Sequence, residues 1–214
     1  MRASVDLLDA VVVSNGFPLI SGTTIAIEQG TINVIKGPNG AGKTSLLQLI
    51  GGLLPLSNGE GTVAGVDLTR HNRREVRRHV GWLGHEGSFY GDLSVRENLI
   101  FACSALQIDV KKVAPVLERV ELAHRIDAPT KSLSAGQRRR MGVAWLLLRR
   151  PEIWLLDEPY ASIDAQGRQF VEGIISDAAE AGATVILSSH DDLELGKRKF
   201  RTIMMAGGRV VSSS

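Results

Sequence analysis

Residues 37–44 read Gly-Pro-Asn-Gly-Ala-Gly-Lys-Thr, with an apolar β-branched run before them and a helical pattern starting at Lys43. Gly37, Gly40 and Gly42 let successive main-chain N–H groups turn inward, and Pro38, Asn39 and Ala41 complete the loop. The N-terminus of the helix adds partial positive charge. A loop of this kind holds phosphate oxygens. Lys43 can reach the β and γ positions of a nucleotide, Thr44 is placed to ligate Mg²⁺, and Ser45 continues the helix start. An ordinary Gly-rich turn with a stray lysine would not need all four constrained positions between a strand and a helix.

A second constellation lies at 153–159, Ile-Trp-Leu-Leu-Asp-Glu-Pro. An apolar strand ends there in two carboxylates, and a proline stops it. Open α/β sheets bind ligands at the carboxyl ends of their strands, so Asp157 is expected to hold Mg²⁺, directly or through water. Glu158, one residue beyond, can orient or deprotonate a water in line with the terminal phosphate. A third motif, Leu133-Ser-Ala-Gly-Gln137, opens a helix. Ser134 and Gln137 have capping-box spacing, and the helix start offers a hydroxyl, a glycine N–H and dipole charge to an anion.

These residues need strands and helices to hold them. Short β-branched runs at 10–13, 23–27 and 31–36 read as strands, the last feeding the glycine loop. The helix from Lys43 is closed by Gly51-Gly52 and Pro55. A strand is expected at 79–84, and a capped helix starts at Ser94-Val-Arg-Glu97. From 94 to 130 the spacing is helical, with Val110, Val113, Leu117 and Val120 on one side and Pro115 either kinking a helix or starting a second. Beyond Ser134 come a helix, the strand 153–157, a helix over 167–181 and a strand over 183–188, the alternation of an α/β sheet. Residues 202–205 and 209–211 read as a hairpin around Gly207-Gly208. The expected architecture is a single α/β domain with a mixed sheet and an N-terminal antiparallel part. Its core comprises 1–93 and 131–214, with a helical subdomain of 94–130 inserted.

The 214 residues suffice for one sizeable core, burying roughly 70% of the unfolded surface. With 43% apolar and 22% charged residues the composition is that of a soluble globular chain, and a net charge of +2 does not by itself imply a nucleic-acid partner. Cys103 stands alone, which excludes an internal disulfide or cysteine metal cage and suits a reducing compartment. The N-terminus lacks a continuous signal-peptide core, so the chain is expected to begin as mature protein. The longest apolar run, 143–148, is far short of the ~20 residues that span a bilayer. Any membrane association must come through a partner.

Other features have plain readings. The arginines of 70–79 suit a solvated helix face, with Val76 and Val80 turned inward. Arg138, Arg139 and Arg140 read as surface charge near the phosphate site. Trp82, Trp145 and Trp154 are expected in the core, as is Phe17, and Cys103 is expected to be an inert buried thiol.

The order of the motifs, with a strand ending in His190 after the acid pair, resembles the ABC transporter ATPase family over essentially the whole chain. The resemblance implies the phosphate-loop ATPase fold and ATP hydrolysis with Mg²⁺. It also implies a head-to-tail homodimer in which Ser134, Gly136 and Gln137 contact the ATP held by the other subunit. Ser162 and Asp164 match the loop that couples the two sites, and His190 matches the switch histidine. His85 stands where the family usually has a glutamine that senses metal, water and the membrane subunit, and Ala135 stands where glycine is commoner. The aromatic that usually stacks on adenine has no clear counterpart: Ser14 aligns by spacing, and Phe17 is nearby. Length, Gly84-His85, the 90–98 segment Tyr-Gly-Asp-Leu-Ser-Val-Arg-Glu-Asn, residues 133–140 and Asp157-Glu-Pro-Tyr160 together resemble the branch of ATPases serving haem export in cytochrome c maturation. That resemblance implies a multispanning membrane permease as partner, a peripheral position on the cytoplasmic face of the inner membrane and no nucleic-acid partner. The alternatives are another small exporter ATPase, a soluble ABC ATPase acting on DNA or ribosomes, and an inactive nucleotide-binding module. The long coiled-coil insertion or doubled cassette of the soluble relatives is absent from these 214 residues, and Glu158 and His190 argue against an inactive module.

Overall fold

The computed structural model describes residues 3–70, 72–84, 89–161, 163–190 and 199–214. The chain opens with two long antiparallel strands, β1 (Ala3–Ser14) and β2 (Phe17–Glu28), and then β3 (Ile32–Lys36), which leads into helix α1 (Lys43–Ile50). Strands β4 (Asn58–Val63) and β5 (Val66–Asp67), helix α2 (Arg73–His79) and strand β6 (Val80–Leu83) follow. Helices α3 (Val95–Ala105), α4 (Val113–Arg119) and α5 (Ala135–Arg149) precede β7 (Ile153–Leu156), α6 (Ala165–Glu180), β8 (Thr184–Ser188) and the hairpin β9 (Arg201–Ala206) and β10 (Arg209–Ser213).

Two sheets result. The first, ordered β2-β1-β4-β5, is antiparallel, and the second, ordered β10-β9-β3-β8-β7-β6, is parallel apart from its β10 edge. The expected mixed α/β architecture with an N-terminal antiparallel part is what the chain forms. The central strands are mostly apolar because the parallel sheet is covered on both faces, with Asn33, Thr184 and Ser188 as buried polar exceptions. Alternate residues go to different cores: Trp154 and Leu156 pack with the α3, α4, α5 and α6 side chains, while Ile153 and Leu155 pack with α1 and the antiparallel sheet.

Register sets the functional edge. Ile35 pairs with Ser188, Leu187 with Leu156, and Leu156 with Leu83. The carboxyl ends of β3, β8, β7 and β6 are therefore level, and Gly37, His190, Asp157 and Gly84 leave the sheet on one side.

Several expectations are corrected. Val110 is 42% exposed, in a short 3-10 turn ahead of α4, whereas Val113, Leu117 and Val120 are buried as expected. Pro115 lies in the first turn of α4, where a missing N–H costs no hydrogen bond, so it belongs to the start of a second helix. Phe17 is 72% exposed at the start of β2 rather than in the core. Trp154 is buried, while Trp82 and Trp145 are half-buried. The arginine triplet is not surface charge: only Arg138 is exposed, Arg139 is buried, and the Arg140 guanidinium stacks 4.3 Å from the centre of the Phe170 ring.

Strands β4 and β5 have no counterpart in the sequence reading, because Asn58-Gly-Glu-Gly61 carries no β-branched pattern. Its pairing depends on close backbone approach. Gly59 has φ +87°, and a Cβ there would stand 2.3 Å from the Asp9 carbonyl oxygen at the bulge of β1. Gly59→Ala is expected to cost at least the ~1–2 kcal/mol of a left-handed residue. At about 2–4 °C per kcal/mol for a chain of this size, Tm should fall by roughly 2–8 °C. Thermal unfolding followed by circular dichroism checks this, and an unchanged Tm would mean that the bulge relaxes freely.

Candidate functional site

The glycine loop is clamped from behind. A Cβ at Gly37 would lie 2.3 Å from the Met205 carbonyl oxygen, and one at Gly42 would lie 2.9 Å from that of Leu19. The Gly208 N–H donates to the Ala41 carbonyl at 3.0 Å, and the Gly208 carbonyl accepts from the Ser21 N–H at 2.9 Å. The β9–β10 turn and β2 thus hold the loop in shape. A cavity of about 750 Å³ opens over it, lined by 39–45, Pro18, Leu19, Ser21, Glu158, Ala161, His190, Gly207 and Gly208. Pro18, Leu19, Ser21, Ala161 and the Gly207-Gly208 hairpin turn were not read as site residues in the sequence, because tertiary structure alone brings them here.

Lys43, only 7% exposed, points into the loop. Its Nζ donates to the carbonyls of Gly37 (3.0 Å) and Pro38 (3.3 Å) and lies 3.1 Å from His190 Nε2. That same His190 nitrogen is 3.2 Å from Glu158 Oε1. One imidazole nitrogen therefore stands between an ammonium and a carboxylate: unprotonated it accepts from Lys43, protonated it donates to Glu158.

The acid pair is built in by neighbouring strands. Asp157 is buried, accepts from the Thr44 hydroxyl at 3.0 Å (Oδ2), and accepts from the Ser188 hydroxyl at 2.7 Å (Oδ1). Ser188 Oγ also accepts the Glu158 N–H at 2.8 Å. Glu158 has φ +46°, a conformation uncommon outside glycine and frequent at functional sites. Thr44 Oγ1 and the Asp157 carboxylate form an all-oxygen pair of the kind that hard cations take. Among the described residues no group of three His, Cys, Asp or Glu side chains could hold a metal, so such a cation would complete its shell with water and phosphate oxygens.

Ser134, Gly136, Gln137 and Asp164 are gathered elsewhere, around a cavity of about 390 Å³ that shares no lining residue with the first. Ser134 Oγ accepts the Gln137 N–H at 3.2 Å and Gln137 Oε1 accepts the Ser134 N–H at 3.0 Å, the expected capping box. Asp164 caps α6, accepting the Gly167 N–H at 2.8 Å. His85 and Ser162 lie outside the described residues.

A parallel sheet with a phosphate loop at its central strand and a carboxylate pair on the next-but-one strand defines a nucleotide-binding ATPase domain. The chain belongs to the ABC transporter family, whose model matches residues 20–161, and it is an ATP-binding subunit of that family. It is 40% identical over 177 residues to the cytochrome c biogenesis ATP-binding export protein CcmA of Aromatoleum aromaticum, covering 81% of this chain and 82% of that one. With the protein of the same name from Nitrosomonas europaea it shares 36% over 177 residues, 82% and 83% of the two chains. Among solved structures, an ATP-binding subunit of an ABC transporter superposes with a TM-score of 0.88 at 20% identity, covering 98% of this chain and 89% of that one. CbiO1 of Clostridium perfringens, part of the ABC transporter complex cbiONQ, gives 0.85 at 25% identity, covering 100% and 89%.

Proposed function

We propose that this chain is the ATP-hydrolysing subunit of a membrane transporter that exports haem for cytochrome c biogenesis. It works as a head-to-tail dimer against a multispanning permease on the cytoplasmic face of the inner membrane. The observation that carries the dimer is the separation of the two half-sites. Lys43, Thr44 and Glu158 border one cavity, with Asp157 bonded to Thr44, while Ser134, Gly136, Gln137 and Asp164 border another, so one chain alone does not enclose a nucleotide. Two chains related by a twofold axis bring the 133–137 loop of each to the partner's phosphate loop.

In this reading the 37–45 main chain and Lys43 bind the ATP phosphates. Thr44 and Asp157 hold Mg²⁺, which when bound neutralises charge on the β and γ oxygens. Glu158 Oε1 takes the proton of the attacking water, and His190 holds that carboxylate and water in line. Ser134, Gly136 and Gln137 contact the partner's γ phosphate, and Asp164 joins the two sites. His85 stands as a metal or water ligand in place of the usual amide. The division into a core of 1–93 and 131–214 with a helical subdomain of 94–130 belongs to the same proposal. It is supported by the run of helices there and by the Ser94–Pro129 bridge that closes the segment.

No helix among the described residues is long and apolar enough to cross a membrane, so the permease must be met through a surface. The helical segment and the stretch leading into it present one: Tyr90 (60% exposed) and Phe101 of α3 (56%) meet edge to face with ring centres 5.6 Å apart. Buried Asn98 fixes this presentation, accepting the Tyr90 N–H at 2.8 Å and donating to the Tyr90 carbonyl at 3.0 Å. A host lacking the gene should lose haem-stained c-type cytochromes, and the wild-type gene should restore them. Tyr90→Glu is expected to bind ATP normally and fail to restore them. Restoration of cytochromes in the unmodified deletion strain would reject the export reading, and full complementation by Tyr90→Glu would reject the docking surface.

A further inference from the structure

Three charged side chains among the described residues are buried: Lys43, Asp157 and Arg139. The first two belong to the phosphate site. Arg139, 8% exposed on the second turn of α5, has no role in the account so far. Among the described residues its guanidinium donates to two main-chain carbonyls, Nη1 to Gly84 at 3.1 Å and Nη2 to Glu158 at 3.3 Å. Burial pulls its pKa below the ordinary arginine value, opposed by the negative charge of Asp157. A buried cation is a costly prop where an apolar side chain of similar volume would fill the space, so its donors call for an explanation.

The placement follows from the packing of α5 on β6. A Cβ at Gly142 would meet Leu83 Cδ1 at 2.4 Å, and one at Gly81 would meet Leu146 Cδ2 at 2.5 Å. The helix therefore lies close against the strand, and Arg139, one turn before Gly142, reaches the carboxyl ends of β6 and β7. There it grips a residue whose backbone is left-handed. Glu158 has φ +46°, its N–H is held by Ser188 Oγ, and its carbonyl is shared between the Ala161 N–H (3.1 Å) and Arg139. Because the direction of a side chain follows its backbone angles, whatever fixes this peptide aims the carboxylate.

We propose that Arg139 is a positioning residue for Glu158. Its planar fork ties the main chain of the base to Gly84, the last described residue before 85–88, and ties both to the helix that begins at the Ser134 loop. The orientation of the base thus depends on α5, the helix that Ser134 caps. This rests on the reading of Glu158 as the base. Lysine at 139 would keep the charge and a single donor site but could not span two carbonyls as the fork does.

The test compares kcat, KM and equilibrium ATP affinity for wild type, Arg139→Lys, Arg139→Gln, Glu158→Gln and the double variant Arg139→Lys/Glu158→Gln. A misplaced base should lower kcat about 10- to 100-fold in Arg139→Lys, with ATP affinity kept within about twofold. The same substitution should add little to the loss in Glu158→Gln, since both act through one carboxylate. Parental kcat in Arg139→Lys and Arg139→Gln would overturn the proposal. So would a fall in ATP affinity parallel to that in kcat, failure of both variants to fold, or an undiminished further loss in the Glu158→Gln background. Parental hydrolysis by Glu158→Gln alone would instead overturn the base reading, and this proposal with it.

Discussion

Glu158→Gln is expected to lower ATP hydrolysis by about two to four orders of magnitude, the usual contribution of a positioned general base, while leaving ATP bound. The amide preserves size and can still accept from His190 Nε2, which stands 3.2 Å from Oε1 in the native chain. The peptide of residue 158 keeps its anchors, because Ser188 Oγ, Ala161 N–H and Arg139 all contact main-chain atoms. Only the capacity to take a proton from water is lost. With hydrolysis stalled, ATP should stay trapped between two chains, and the variant should elute as a dimer with Mg-ATP and as a monomer without it. Phosphate release and size-exclusion chromatography read both effects. Hydrolysis at the parental rate would remove Glu158 as the base, and a monomer at high concentration with Mg-ATP would count against the sandwich.

Lys43→Ala is expected to abolish tight ATP binding. Charge-assisted hydrogen bonds contribute about 1.5–3 kcal/mol each, so losing contacts to two phosphate oxygens should weaken affinity by roughly 10²- to 10⁴-fold. The side chain is aimed into the loop: two loop carbonyls hold Nζ, and the group is nearly buried. Alanine therefore removes an oriented charge rather than a mobile one. Equilibrium binding of a fluorescent ATP analogue measures the effect, and unchanged affinity would contradict the assignment of the phosphate loop.

The phosphate loop, both capping boxes and strands β3, β7 and β8 were legible in the sequence because each is specified by a few adjacent residues. Glycine spacing, a hydroxyl three residues before a Glu or Gln, and an apolar run stopped by acid and proline carry their meaning locally. Strands β4 and β5 were not legible, since Gly59 and Gly61 enter the sheet by close approach to β1 rather than through patterned side chains. The wall of the nucleotide cavity escaped for a different reason. Gly207-Gly208 lies some 165 residues along the chain from Gly42, and only the pairing of β9 with β3 brings the two together. Arg138, Arg139 and Arg140 looked alike in sequence. Their depths differ because α5 sits close on β6 at Gly142, a tertiary fact that places Arg139 inside and Arg138 outside.

The central claim, that this chain turns over ATP on behalf of a membrane partner, is tested most directly by phosphate release from complexes purified through a tag on the chain. Detergent-solubilised membranes would supply the wild-type and Glu158→Gln preparations side by side. The wild-type preparation should contain a multispanning membrane protein and hydrolyse Mg-ATP, and the Glu158→Gln preparation should contain the same partner and release almost no phosphate. Absence of a membrane partner, or equal phosphate release from the two preparations, would contradict the claim.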